Sequence, residues 1–337
     1  VPFILLAPVA ASWSTGCSIR RRVEQLKLLE IGLAVIGCIA LWAQSAVLLL
    51  LVIAGLGVQS ALIGPLKYAA LPRWVNADAL VGVNASMQTV TFVAILVGTA
   101  LGSMGVLGWP LGLGLLALVA SVLGWWLARS MPDTVLPTGS PTPTLATMLR
   151  AVYGAGSDRP LLHLISGFWA IGSVWLTHLS LLVTEVWTLQ ATLIPAVLTL
   201  FVLGIGLGSG LGILAQSQTR WTRVITGAVL ICLGSGLAAS GEATGGLVGV
   251  LLTAAGGGYL ALPLYVALQR SDGDVVRRIA VLNVINAIAM VVASLASMLV
   301  IVGFGVSILG WLAILALLQL LLCLYHRRDL LLCESVR

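Results

Sequence analysis

The chain has 337 residues, of which 60% are hydrophobic and 8% are charged, and its formal net charge is +6. A soluble globular domain carries roughly 25% charged residues, so this composition excludes a water-soluble domain and indicates an integral membrane protein. Long apolar segments predict membrane helices and argue against the short alternating strands of an outer-membrane barrel.

Successive apolar segments, each near the roughly 20 residues that a membrane helix needs, follow one another along the chain. They are predicted at 1–14, 28–44, 46–66, 82–103, 108–128, 161–184, 191–215, 222–240, 244–268, 279–302 and 307–325. The first segment lacks the basic stretch that precedes the apolar region of a signal peptide, so we interpret it as a partial membrane helix.

The charged residues predict the topology. All 17 lysines and arginines fall in or at the edge of alternate joints or in the C-terminal tail, and the opposite joints hold only Glu185 and Glu242 as charged residues. By the positive-inside rule the basic joints are cytoplasmic. The chain is therefore expected to start outside and to end in a cytoplasmic tail at 327–337. One further helix before Val1 would give twelve spans.

A segment rich in Pro, Ser and Thr lies at 129–160, in the middle of the chain. This composition is typical of a flexible linker. We predict a cytoplasmic linker, with a short surface helix at 145–153, between an N-terminal half at 1–128 (helices 2–6) and a C-terminal half at 161–326 (helices 7–12).

Two stretches share a plan that indicates parallel internal repeats. Gly-Pro-Leu-Lys-Tyr at 64–68 ends an apolar run, a polar turn follows at 72–78, and Asn84 opens the next run. Leu-Pro-Leu-Tyr at 262–265 is followed in the same way by a charged loop and Asn283. Such repeats are typical of transporters built from two related halves, although a match this short also arises by chance.

Several motifs point to one family of transporters. Pro-Phe-Ile-Leu-Leu-Ala-Pro at 2–8, a basic loop and Lys-Leu-Leu-Glu-Ile at 27–31 resemble the second and third helices of the major facilitator superfamily. More narrowly, Pro-Leu-Lys-Tyr-Ala-Ala-Leu-Pro at 65–72, the Phe168-Trp169 pair and the glycine-rich run at 203–209 resemble the bacterial lysophospholipid transporters.

The resemblance implies an all-α bundle of two six-helix halves, here without its first helix, in the bacterial inner membrane. It implies import of lysophospholipid for reacylation, with no cofactor, as a monomer in the lipid bilayer. Efflux of another organic solute or drug, and a degenerate protein that does not transport, remain as alternatives.

An enzyme is the third class of function to consider, because this family is sometimes fused to an acyltransferase. That domain needs His-x-x-x-x-Asp, which is not found at His163, His178 or His326. We therefore expect no catalysis, with an acyltransferase as a separate partner and no nucleic-acid partner. The five cysteines form no metal-type CxxC, so we expect free thiols and no metal site.

The loop after the first segment departs from the superfamily pattern Gly-x-x-x-Asp-Arg-x-Gly-Arg-Arg. Ala11, Thr15 and Gly16 stand where Gly, Asp and Arg are expected. That Asp normally joins a charge network that gates the cytoplasmic side, so its loss places gating in doubt. The gating charges expected here are Arg20, Arg21, Glu30 and Lys67. We predict that Glu30 pairs with Lys67, because both are expected at cytoplasmic ends of adjacent antiparallel helices.

Polar side chains follow one face of the helix predicted at 161–184, which is the seventh helix when one further helix precedes Val1. At about 100° per residue this face contains Ser166, Trp169, Ser173, Thr177, Ser180 and Thr184. Hydroxyls in membrane helices often bond back to their own helix, and the alternative is a cavity wall that binds substrate. His178 is half a turn from Trp169, and a structural role is favoured for it. No carboxylate is expected in mid-span, which leaves a proton relay built on Asp or Glu unsupported.

Amides near the ends of other helices are the remaining candidates. They either hold the two halves together or contact substrate, and the set expected to bind substrate is Gln59, Lys67, Asn84, Gln88, Asn283 and Asn286, together with Trp169, Ser173 and Thr177. Gly204, Gly208 and Gly212 have no basic neighbour, so we interpret them as a site of close helix packing and not as a phosphate loop.

Overall fold

The computed structural model describes residues 2–13, 16–106, 109–136, 144–154, 156, 158–270 and 274–335. These residues form helices joined by short loops, with one isolated β-bridge. The helices are α1 (Pro2–Leu5), α2 (Ala7–Trp13), α3 (Ile19–Trp42), α4 (Ala46–Trp74), α5 (Leu80–Val106), α6 (Pro110–Ala128), α7 (Leu145–Gly154), α8 (Arg159–Leu181), α9 (Ile194–Leu214), α10 (Arg220–Ala238), α11 (Ala243–Arg270), α12 (Val275–Met298), α13 (Ile308–Tyr325) and α14 (Arg327–Ser335).

The helices confirm the expected all-α membrane fold. Within the described chain, nine of them are long and apolar enough to cross a membrane, and α5 contributes the apolar stretch Leu80–Ile95. The predicted surface helix at 145–153 appears as α7. The predicted first segment forms the two short helices α1 and α2, which are separated at Leu6.

The third helix begins earlier than the sequence indicated. Ser18 caps it by accepting a hydrogen bond from the Arg21 backbone amide, so α3 starts at Ile19 and not near residue 28. An N-terminal serine cap and the Arg and Lys residues that follow it favour helix over loop. Glu30 therefore lies in the middle of α3. Glu30 was expected near the start of a helix and not in its middle, whereas the expectation that no carboxylate occupies mid-span stays a prediction.

The two proline motifs lie inside helices and do not end them. Helix α4 continues through Pro65 and Pro72 to Trp74, and α11 continues through Pro263 to Arg270. Membrane helices tolerate proline because neighbouring helices and local adjustments satisfy the freed backbone groups. The predicted polar turn is correspondingly shorter than 72–78.

The chain forms two compact units. Unit 1 comprises residues 1–76, 98–154 and 271–284, and unit 2 comprises residues 77–97, 155–270 and 285–337. The predicted division into halves at 1–128 and 161–326 remains a prediction. Each unit contains one short segment from the opposite predicted half, at the start of α12 in unit 1 and at the start of α5 in unit 2.

Close helix packing dominates the core of unit 2, around α11. At Gly204 of α9, an added Cβ atom would lie 2.7 Å from the Leu251 carbonyl oxygen, and at Gly208 it would overlap the Ala255 carbonyl oxygen. A Cβ atom at Gly212 would lie 3.0 Å from the Leu262 side chain. The predicted packing role is confirmed at Gly204 and Gly208, because only hydrogen there allows the backbones to approach, and Gly212 packs closely against a side chain.

In unit 1 the first part of the predicted linker is fixed to the loop before α3. The Ile19 amide donates to the Thr134 carbonyl at 2.8 Å, and the Leu136 amide donates to the Cys17 carbonyl at 3.1 Å. The Trp74 indole donates to the Thr134 hydroxyl at 3.0 Å. The expectation of a flexible linker is therefore wrong for residues 132–136, and residues 137–143 lie outside the described chain.

Candidate functional site

A charged cluster lies among the helices of unit 1. Lys27 Nζ is 3.0 Å and 2.8 Å from the two carboxylate oxygens of Glu30, one turn further along α3. Gln59 of α4 donates to the same carboxylate at 2.8 Å, and the Ser121 hydroxyl of α6 lies 3.3 Å away. The side chains of Lys27 and Glu30 are 23% and 20% exposed. The cluster therefore links three helices through one carboxylate.

This cluster corrects the predicted Glu30–Lys67 pair. Glu30 is level with Gln59 on α4, and eight residues of helix place Lys67 about 12 Å further along the axis. Lys67 Nζ instead lies 5.2 Å from the centre of the Tyr68 ring. Lys27 is the cation nearest to Glu30 because residues three apart in a helix are neighbours.

An elongated cavity begins at the charged cluster. It has a volume of about 440 Å³ and is bounded by α3, α4 and α6. Its lining residues are Glu30, Ala34, Gly37, Leu41, Leu49, Val52, Leu56, Leu113, Gly114, Ala117, Ala120 and Ser121. The polar groups of this lining are therefore confined to Glu30 and Ser121, which face each other at one end.

Several polar side chains of unit 2 form a neutral network. The Ser166 hydroxyl of α8 donates to Asn286 of α12 at 2.7 Å, and the Trp169 indole donates to the Tyr265 hydroxyl of α11 at 2.9 Å. Phe168 packs edge-on against Trp169. These contacts join α8, α11 and α12.

Other hydroxyls of the predicted polar face bond back to their own helix. Ser173 donates to the Ala170 carbonyl, Thr177 to the Ser173 carbonyl and Thr184 to the Ser180 carbonyl, at 2.7 to 3.1 Å. This is the structural alternative expected for small hydroxyls in membrane helices. Thr184 also lies in a π-helical turn, Leu182–Val186, where the helical phase changes. His178 is half-buried.

A reciprocal amide pair joins the start of α5 to the end of α11. Asn84 donates to the Gln269 side-chain oxygen at 2.8 Å, and Gln269 donates back to Asn84 at 2.9 Å. Both side chains are 3% exposed. The Arg270 guanidinium donates to the Ala77 carbonyl nearby. Gln269 was absent from the sequence-based candidates, because a single amide late in an apolar run gives no sign of its partner.

The remaining amides have separate surroundings. Asn283 lies against α4, where a Cβ atom added at Gly64 would be 3.2 Å from its side-chain nitrogen. Asn286 belongs to the neutral network, so the two asparagines of α12 serve different contacts. Gln88 is partly exposed on α5.

The loop before α3 obtains a carboxylate from a distant part of the chain. Arg20 lies 3.0 Å from the Asp133 carboxylate and 3.8 Å from Glu24, and the Ser18 hydroxyl also donates to Asp133. Thr15 lies outside the described residues. Arg21 is exposed, and its backbone amide completes the helix cap. Asp133 was missed because it lies in a segment whose composition indicated a linker.

A histidine pair lies where α8 meets the end of α13. His163 Nδ1 is 3.2 Å from His326 Nε2, and His326 Nδ1 is 3.0 Å from the Asp329 carboxylate. Within the described chain, no group of three or more His, Cys, Asp or Glu residues is arranged to hold a metal ion. Cys17, Cys38, Cys232 and Cys323 are free thiols, as predicted.

Solved structures of membrane transporters match almost the whole chain. FucP, a major facilitator superfamily transporter in its outward conformation, has a TM-score of 0.79 at 12% identity, over 97% of this chain and 87% of FucP. The human organic anion transporter MFSD10 has a TM-score of 0.79 at 16% identity, over 96% of this chain and 81% of MFSD10. A bacterial homologue of the iron transporter ferroportin has a TM-score of 0.69 at 16% identity, over 99% and 88%.

No protein-family model matches the sequence, and no curated protein matches it by sequence. The structural matches, at identities of 12 to 16%, establish the fold. The chain has the multi-pass helical fold of major facilitator superfamily transporters, as the sequence motifs indicated. The narrower resemblance to lysophospholipid transporters remains a prediction.

Proposed function

We propose that the protein is a secondary or facilitated membrane transporter that moves lysophospholipid inward across a bacterial inner membrane. The observation that carries the transporter assignment is the fold, in which membrane-length helices adopt the arrangement seen in FucP and MFSD10. Fold alone does not define a substrate, so the substrate rests on further features of the chain.

Two features support a lipid with one acyl chain. The motif at 65–72 and the Phe168-Trp169 pair resemble the lysophospholipid family. The cavity of unit 1 has apolar walls and one polar end, which matches an amphiphile better than a sugar. Sugars need hydrogen-bonding groups along the whole site, because each buried hydroxyl without a partner is costly.

Uptake of labelled lysophosphatidylethanolamine by spheroplasts that lack their own transporter tests this proposal. Expression of the chain should raise uptake above the empty-vector control. Trp169→Ala should lower it if the neutral network shapes the substrate path, with Trp109→Ala as a matched control on an exposed tryptophan. Uptake at the level of the empty vector, with expression confirmed, would contradict lipid import and leave the alternatives of efflux or a protein that does not transport.

Transport of an organic anion is the second candidate, and the similarity to MFSD10 favours it. Lys67 supplies a half-buried cation on α4 for such a substrate. Lys67→Ala should then abolish transport of an anionic solute and have a smaller effect on a zwitterionic lipid. Equal effects of this substitution on both substrates would argue against a role of Lys67 in charge recognition.

The proposed orientation has basic joints in the cytoplasm and Glu242 outside. Impermeant thiol reagents applied from outside, in a cysteine-free background, should label Glu242→Cys and spare Arg73→Cys and Arg223→Cys. The reverse pattern would invert the topology, because the positive-inside rule is its only basis.

A further inference from the structure

The cavity of unit 1 is open because its walls carry small residues. Ala34 and Gly37 of α3 and Ala117 and Ala120 of α6 line it beside leucines and a valine. Its volume of about 440 Å³ lies within the roughly 300–1,000 Å³ that is usual for small-molecule sites. Since no described side chain fills it, the cavity can accept a ligand of matching shape.

The cavity is a partly open cleft that runs along the helix axes. Glu30 and Leu41 of α3 both line it, and eleven residues of helix separate them by about 16 Å. Ser121 and Leu113 of α6, which also line the cavity, are about 12 Å apart along the axis of their helix. The polar residues Glu30 and Ser121 define one end, and the leucines define the other. An elongated apolar cleft with one polar end fits a single alkyl chain with a polar head.

The charges at the polar end select the head group. Glu30 offers only acceptors and Lys27 only donors, and the two form an ion pair of zero net charge. An anionic head would be repelled by Glu30 and a cationic head by Lys27. A zwitterionic head matches this neutral pair, with its ammonium at Glu30 and its phosphate toward Lys27, which lies next to the lining and is bonded to Glu30.

We propose that this cavity binds a single-chain zwitterionic lipid, with the alkyl chain between α3, α4 and α6 and the head at the Lys27–Glu30 pair. The inference rests on the proposed lipid transport for the class of substrate, and it names the site and the head-group preference. Leu56, which is 38% exposed, lines the cavity on α4 and marks where a lipid chain could enter from the bilayer.

Photo-crosslinking locates the lipid directly. The full chain in nanodiscs is labelled with lysophosphatidylethanolamine that carries a diazirine at the end of its acyl chain, and adducts are mapped by mass spectrometry. Adducts are expected on the apolar end of the cavity, around Leu41, Leu49 and Leu113. Labelling by the matching lysophosphatidylglycerol probe should be weaker. Adducts that are absent from these residues would overturn the proposal.

A matched pair of glycine variants on α3 tests the cavity. A Cβ atom at Gly37 would lie 3.8 Å from Val52, in ordinary contact, so Gly37→Leu projects into the cavity without a backbone clash. A Cβ atom at Gly32 would meet nothing within 4 Å, so Gly32→Leu is its control. Filling the cavity should lower labelling about tenfold. Equal labelling of the two variants would overturn the proposal, and Ala117→Leu repeats the test from α6 if Gly37→Leu does not fold.

The head-group preference has its own control. Glu30→Gln should remove the preference for lysophosphatidylethanolamine over lysophosphatidylglycerol, whereas Glu24→Gln, on the same helix but outside the cavity, should keep it. An unchanged preference in Glu30→Gln would overturn the assignment of the head to this pair. Labelling needs no transport. Adducts in the cavity without uptake would therefore support this binding site and contradict lipid import. Normal uptake by Gly37→Leu would support lipid import and contradict this binding site.

Discussion

The two proline-containing helices, α4 and α11, share a motif but differ in their surroundings. In α11, 78% of the most apolar membrane-length stretch is buried, compared with 11% in α4. Glycines of α9 and α10 bring their backbones against α11, and its buried contacts at Tyr265 and Gln269 are neutral. Helix α4 instead borders a cavity and contributes Gln59 to a charged cluster. A shared motif therefore predicts a helix but does not predict what packs around that helix.

The difference assigns different tasks to the two helices. A helix packed through glycines on several sides has little room to bind a ligand, because close-packed interiors contain few voids. A helix that borders an open cavity with a charged end can bind a ligand. We therefore expect the largest stability losses around α11 and the largest binding losses around α4.

The strongest effect on stability is expected at the contact of α9 with α11. Gly208→Ala would place a Cβ atom on the Ala255 carbonyl oxygen, whereas Gly210→Ala, on the same helix, meets nothing within 4 Å. Overpacking typically costs about 1–3 kcal/mol, and a backbone clash belongs at the upper end. Thermal unfolding in detergent should show a large drop for Gly208→Ala and almost none for Gly210→Ala. Similar drops for both would refute the close packing of unit 2.

The next largest effect is expected at the charged cluster of unit 1. Lys27→Met leaves Glu30 in a membrane-length helix without its cation, which costs about 2–3 kcal/mol on insertion scales. The double variant Lys27→Met/Glu30→Met should recover part of the loss, because both charges are removed together. A double-mutant cycle on unfolding free energies measures the coupling. Additive losses would show that the pair contributes nothing.

A smaller effect is expected at the amide pair between α5 and α11. Asn84→Leu leaves the buried Gln269 amide without its partner, at a cost of about 1–2 kcal/mol. The double variant Asn84→Leu/Gln269→Leu should be closer to the wild-type protein, because two apolar groups need no hydrogen bond. Hydrogen exchange at the start of α5 gives a local readout. If the double variant loses more unfolding free energy than the two single variants lose together, the amide pair does not stabilise the protein as described.

The smallest effect is expected on the polar face of α8. Ser173→Ala removes a hydroxyl that bonds only within its own helix, so the unfolding free energy should change by less than about 0.5 kcal/mol. Ser166→Ala removes a bond to the buried Asn286 and should cost about 1 kcal/mol. A loss of lipid uptake in Ser173→Ala without a loss of stability would identify this face as a wall of the substrate path.

The sequence was sufficient for the helices but not for the partners of their polar residues. Apolar length and glycine spacing are local properties, so the spans and the packing role of Gly208 were predictable. Glu30 was misplaced because the serine cap at Ser18 starts α3 well before the apolar run. Its contacts with Gln59 and Ser121 lie 29 and 91 residues away along the chain. Neither separation leaves a pattern in the sequence.

The same limit applies to the loop before α3. Its departure from the superfamily pattern indicated a lost gating carboxylate, and the structure places Asp133 beside Arg20. Asp133, 113 positions away along the chain, reaches Arg20 because residues 132–136 pair with the loop through backbone hydrogen bonds. Composition alone assigned residues 132–136 to a flexible linker, since proline and threonine are common both in flexible linkers and in ordered loops.

Transport by the purified full chain shows whether this protein itself moves lysophospholipid across a bilayer. Proteoliposomes that contain the protein, and matched empty liposomes, are loaded externally with labelled lysophosphatidylethanolamine, and lipid protected from extraction by albumin is measured over time. Protection should be faster than in empty liposomes, and it should be reduced in Gly37→Leu but not in Gly32→Leu. Protection at the rate of empty liposomes would contradict lipid transport by this protein.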